Sequence, residues 1–152
     1  MIARALLAAG LIGGLTAAGV AAVGVENAAR ARSNYMLKCQ GCHRPDGGET
    51  VGSTPALKDF MSKFLSVEGG REYLVRVPGV ALSPLSDKEL AELLNWSLAT
   101  FDPANMPADF KPYTAAEMAA LRKRPLRTDA AAARAVVVAR MNEQQGQGGN
   151  KQ

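Results

Sequence analysis

Cys39-Gln40-Gly41-Cys42-His43 holds both cysteines and the one histidine of a 152-residue chain within five consecutive positions. The pattern is C-x-x-C-H, in which two thiols add across the vinyl groups of a haem and the imidazole that follows takes the iron as its proximal ligand. The expected cofactor is therefore one covalent haem c, attached at Cys39 and Cys42, with His43 as metal ligand. Other chemistries of these residue types fit less well. A zinc site needs four ligands, and no second C-x-x-C or further histidine exists to complete one. A thioredoxin-like dithiol belongs in a βαβ pattern, and no such strand pattern is visible. A disulfide between residues three apart is strained and closes a loop too small to stabilise much.

Around the motif, Tyr35 stands four residues before Cys39, and Thr54-Pro55-Ala56-Leu57 reads as a turn after a Gly-rich loop. With C-x-x-C-H, these residues resemble the small mono-haem class I cytochromes c, over about residues 35–101 and more weakly to about 124. The resemblance implies an all-α haem domain that carries single electrons. It also implies that the Pro55 carbonyl receives the second N–H of the proximal histidine and that Leu57 covers the haem. An acceptor behind the ligand fixes the ring's orientation and raises its basicity.

Helical signals support that fold class. Residues 34–42 read as a first helix ending in the motif, and 44–53 are turn chemistry throughout. Leu57, Phe60, Met61, Phe64 and Leu65 give 56–65 an amphipathic face, and 71–77 form another short helix that Pro78-Gly79 stops. Ser86-Asp87-Lys88-Glu89 is a capping box opening a leucine-rich helix, in which Leu94, Trp96 and Leu98 are expected to cross the Tyr35 helix. Thr114-Ala115-Ala116-Glu117 repeats the box, and an alanine-rich helix follows over 130–141.

In class I cytochromes a loop methionine just before the leucine-rich helix supplies the sixth iron ligand, but residues 77–85 contain none. Met106, in the proline-bracketed loop Phe101-Asp102-Pro103-Ala104-Asn105-Met106-Pro107, is the expected distal ligand. Met61 is the alternative, on an apolar helical face. Met118 and Met141 read as core, and Met36 belongs to the helix that delivers the proximal side. An open sixth position is the remaining possibility. His/Met coordination suits electron transfer, whereas a vacant position admits oxygen, peroxide or a diatomic gas.

Arg4 is the only charge in the first 25 residues, and an apolar run follows it, which reads as an export signal. Ala29-Arg30-Ala31 offers an A-x-A cleavage site, and the small residues at 21–24 offer others. The rival reading is an uncleaved anchor, since the uncharged stretch 5–25 reaches the roughly 20 residues that span a bilayer. The expected division is 1–31 signal or anchor, 32–110 haem domain, 111–143 basic helical extension and 144–152 flexible tail. The location is periplasmic, or anchored to the inner membrane facing the periplasm.

The chain's net charge of +4 is unevenly placed. Residues 32–110 hold 8 Lys/Arg against 10 Asp/Glu, and residues 111–140 hold 7 against 2. Lys111, Arg122, Lys123, Arg124, Arg127, Arg134 and Arg140 thus offer a docking surface for an acidic redox partner or anionic membrane, or a solvated face of a strap. So few aromatics near the basic residues speak against nucleic acid. The expected function is an electron carrier, not an enzyme, between periplasmic redox partners such as a dehydrogenase, an oxidase or another cytochrome. The alternatives are an open-site haem protein, peroxidase-like or gas-binding, and a haem subunit of a larger complex.

Overall fold

A computed structural model describes residues 23–49 and 54–148. Its elements are α1 (Ala28–Lys38), a 3-10 helix (Met61–Ser66), α2 (Gly70–Arg76), α3 (Pro78–Ala81), α4 (Asp87–Phe101), a 3-10 turn (Pro103–Asn105), α5 (Ala115–Leu121) and α6 (Ala130–Gly148). No strand occurs among the described residues, as the helical periodicities require.

The fold is built on α4. Ser86 accepts from the Glu89 amide and the Glu89 carboxylate accepts from the Ser86 amide, so the capping box forms as the sequence predicts. Leu90, Ala91, Leu93, Leu94, Leu98 and Phe101 are all buried, each large side chain contributing roughly 2 kcal/mol by leaving water. Helix α1 packs on one side of α4 and α5 on another. Against α1, the rings of Tyr35 and Phe101 lie 4.8 Å apart and those of Tyr35 and Trp96 5.6 Å. The crossing uses Leu93, Trp96 and Phe101, while Leu94 and Leu98 turn into the main core, so two of the three expected crossing residues face elsewhere.

Helix α1 starts six residues earlier than the periodicity suggests. Asn27 caps it by accepting from the Arg30 amide, and Val25 before it is buried. Glu92, only 4 % exposed, accepts from the Asn27 amide at 2.7 Å and from Arg30 Nε at 2.8 Å. A boundary after Ala31 would cut inside this helix and strip Glu92 of its cation. The sites near 21–24 leave it whole. Residues 1–22, on which the export signal or anchor falls, lie outside the described residues, and no described helix is long and apolar enough to cross a membrane.

Two other short elements differ from expectation. The 56–65 helix is broken by Asp59, whose φ of 57° leaves the helical region. The chain resumes as a 3-10 helix, with its Ser62 amide bound to Asp102 at 2.7 Å. Pro78 does not simply stop α2. Its fixed φ suits the first turn of a helix, and it opens α3.

Beyond residue 110 the chain continues the same core. The Asn95 side chain accepts from the Tyr113 amide at 2.9 Å and donates to its carbonyl at 3.1 Å. Arg122 donates to the carbonyls of Ala81, Ser83 and Leu85 and to Asp87. Met118, Val137 and Met141 are buried in the main cluster. The division at 110/111, drawn on charge, therefore marks no break in packing. Helix α6 runs to Gly148, so part of the segment expected as flexible tail is helical, and residues 149–152 lie outside the described residues.

Candidate functional site

The C-x-x-C-H motif is a turn appended to α1. Cys39 caps the helix, its amide donating to the Tyr35 carbonyl at 2.9 Å. The amides of Cys42 and His43 both donate to the Cys39 carbonyl, at 3.0 and 2.9 Å, which folds the three side chains into one short loop. The helix therefore ends at Lys38 and not at 42 as the sequence suggests. Tyr35 holds the far end of that loop: its hydroxyl donates to the Arg44 carbonyl at 2.6 Å.

The next wall is set by Gly47. Its carbonyl accepts from the amides of Leu57 and Lys58 at 2.8 and 3.0 Å, hanging the 54–57 turn on the loop after His43. Gly47 has φ +74°, and a Cβ there would come within 2.7 Å of the Phe101 ring. Glycine is required on both counts.

These elements enclose a cavity of about 380 Å³, inside the roughly 300–1,000 Å³ range of small-molecule and cofactor sites. Cys39, Cys42, His43, Pro55 and Leu57 all lie on its wall. The remainder is mainly apolar and comes from the 3-10 helix, α2, α3 and α4, with Phe64, Leu74, Val77, Leu90, Leu93 and Leu94 among its members.

Burial lowers the pKa of His43 below its usual value, partly offset by the Pro55 carbonyl beside the ring, so the imidazole is in the neutral form that ligates metals. Its Nδ1 is buried with no partner in hydrogen-bond geometry. Burial raises the Cys39 thiol, with the neighbouring Cys42 adding to it. The Tyr35 phenol is pushed up to about 12, first by burial and then by negative charge at Cys39 and Asp46. Two sulfurs and an imidazole at the edge of an apolar cavity, with a carbonyl poised behind the imidazole, fit a covalently attached haem. Among the described residues no group of three or more His, Cys, Asp and Glu side chains converges in a way that would hold a lone metal ion.

Met106 is not on this wall. It caps the Pro103–Asn105 turn and packs half-buried against the main core. The physical reason is Asp102, whose buried carboxylate binds the Ser62 amide and the Asn105 side chain and so fastens the loop to the 59–62 backbone. Asn105 adds a bond to the Asp59 carbonyl at 3.3 Å. Met61 is on the wall and 3 % exposed. Trp96 is off it, in the cluster with Tyr35 and Phe101. Met118 and Met141 are buried core residues and Met36 is exposed on α1.

Sequence reasoning missed the contributions of Tyr73, Val80, Ser83, Ala130 and Arg134 to the wall. The connection at 77–83 carries no chemical signal, and Arg134 looks like one more surface cation of a basic helix.

A cytochrome c-552 of Thermus thermophilus is 33 % identical to this chain over 112 aligned positions, covering 62 % of this chain and 86 % of the relative. A second cytochrome c-552 of the same species, from another strain, is equally similar, with 76 % of its length covered. No family model matches the chain, and no solved structure does. On that identity and coverage, and with the motif, the turn that faces it and the helix that crosses it in place, the chain belongs to the class I cytochrome c family.

Proposed function

We propose that this protein carries single electrons on one haem c, joined to Cys39 and Cys42 and ligated by His43, between redox partners outside the cytoplasm. The observation that carries the reading is the convergence of both thiols, the imidazole, Pro55 and Leu57 on one apolar cavity in a chain of this family. Bound there, haem supplies a one-electron iron couple. The chain's own residues do the rest. Pro55 steadies the His43 ring from behind, and the leucine and phenylalanine side chains exclude water. Among the described residues the wall offers neither a carboxylate nor a second imidazole to move protons on a substrate, which supports a carrier over a catalyst.

For the sixth position we infer Met61 in place of Met106, because Met61 is the thioether on the wall. A second reading, an open position, is favoured by one observation. The Met61 amide donates to the Leu57 carbonyl at 2.9 Å, which ties this residue to the turn that faces His43. The experiment is the long-wavelength sulfur-to-ferric-iron absorption band in wild type, Met61→Ala and Met106→Ala. The expected result is a band lost in Met61→Ala and kept in Met106→Ala. Loss in Met106→Ala alone would restore the loop methionine. No band in wild type, with carbon monoxide binding to the reduced protein, would establish the open site.

For the partner we propose an acidic protein surface met by Lys111, Lys123, Arg124 and Arg127, which are exposed. Arg122 and Arg140 are spent on backbone carbonyls of the core and contribute less. Association that weakens steeply with salt checks this.

A further inference from the structure

The cavity wall carries two cationic residues, Lys38 and Arg134, and no Asp or Glu among the described residues. Lys38 is exposed at the end of α1, so it sits at the mouth. Arg134 reaches the wall from the opposite end of the chain, on α6, one turn after Ala130, which also lines the cavity. Its guanidinium carbon lies 5.3 Å from the centre of the Phe60 ring and 6.0 Å from that of Phe64. Its charge also pulls the Tyr73 phenol down against the larger effect of burial.

Arg134 differs from its neighbours in what it lacks. Arg122 is held by three carbonyls and Asp87, and Arg140 by the Glu68 carbonyl at 2.6 Å. Arg134 is half-buried and, among the described residues, has ring contacts but no carboxylate or carbonyl partner. A guanidinium held in place by aromatic faces, at an apolar wall without acidic residues, is a prepared position for a planar anion, which it can take with two parallel N–H donors.

We propose that Arg134 binds a carboxylate of the cavity's occupant, a propionate of the haem, so that α6 is a wall of the cofactor site and sets its charge. This rests on the haem reading above. Pairing one propionate removes a negative charge from beside the iron, and an unpaired propionate favours the ferric form. Arg134 is thus a positioning and electrostatic residue, remote in sequence from the motif it serves.

The test is redox titration of the full-length haem-loaded protein in wild type, Arg134→Gln and Arg134→Lys, with urea unfolding followed in parallel. Arg134→Gln is expected to shift the ferric/ferrous equilibrium about tenfold toward ferric, which is about 59 mV for one electron. Arg134→Lys, which keeps the charge but loses the fork, is expected to shift it by about threefold in the same direction. If the Gln variant does not retain haem, the Lys variant decides alone. An unmoved potential, with or without a loss of stability, would overturn the inference and leave the haem reading standing. A wild-type protein without covalent haem would overturn both.

Discussion

Asn95 and Tyr113 exchange a reciprocal pair of buried hydrogen bonds, amide to side-chain carbonyl at 2.9 Å and side-chain amide to backbone carbonyl at 3.1 Å. The same Asn95 amide reaches the Gly24 carbonyl at 3.3 Å, so one side chain joins the start of the domain, its central helix and the basic extension. Asn95→Leu preserves the size of the side chain and leaves the Tyr113 N–H and C=O unsatisfied. It is expected to cost about 3 kcal/mol, read by urea unfolding of the haem-loaded protein. A loss below about 1 kcal/mol would mean that the extension is tied down elsewhere.

Asp102 plays a comparable part at the other end of α4. It is fully buried, and its two carboxylate oxygens accept from the Ser62 amide and from Asn105 Nδ2. Asp102→Ala is expected to destabilise by about 3 kcal/mol, and Asp102→Asn, which keeps one acceptor, by about half as much. Because Ser62 follows Met61, the Ala variant is also expected to weaken the sulfur-to-iron band if Met61 is the ligand. Equal stability of the two variants would show that the carboxylate is not acting as an acceptor.

Alkaline pH tests the burial of the phenols. Tyr35 is pushed from its usual value near 10 up to about 12, and Tyr113 and Tyr73 are raised as well, all chiefly by burial. The folded state holds these protons where the unfolded chain has lost them. Stability is therefore complete below about pH 10 and falls as pH rises from there toward about 12. Tyr35→Phe is expected to lose about 1 kcal/mol at neutral pH with the bond to Arg44, and to decline less steeply above about pH 10. Parallel curves for wild type and variant would place the Tyr35 hydroxyl in solvent.

The export boundary has a mechanical constraint. Removing residues 1–31 deletes the Asn27 cap and Arg30, and leaves the buried Glu92 without the cation that pairs with it. Breaking such a partly buried pair costs several kcal/mol. If the protein is cleaved on export, mass spectrometry of the secreted form is expected to place its first residue before Asn27, and a truncation starting at Arg32 is expected to unfold at lower urea. A native N-terminus at Arg32 would contradict this.

The motif, the capping boxes and the leucine-rich helix were legible because each is a local pattern with one physical reading. Cys39, Cys42, His43, Pro55 and Leu57 were found the same way, through their spacing to one another or through a turn that proline announces. Met106 illustrates the limit. Its proline-bracketed loop has the right chemistry, but its direction is set by Asp102 bonding to Ser62, a contact forty residues apart that leaves no trace in spacing. The boundary at 110 failed for a related reason. Charge composition changes there, whereas Asn95, Arg122 and Met118 carry the packing across it. The start of α1 was missed because the alanine-rich residues before Ala31 read equally well as a cleavage site.

A haem borne by Cys39 and Cys42 through thioether bonds must survive unfolding of the chain. Intact mass of the denatured full-length protein, produced with a haem-ligating export machinery, tests this most directly, alongside a Cys39→Ser/Cys42→Ser double variant. The wild type is expected to show the polypeptide plus one haem, and the variant the bare polypeptide. Bare wild-type polypeptide, or haem that comes away on denaturation, would contradict covalent attachment.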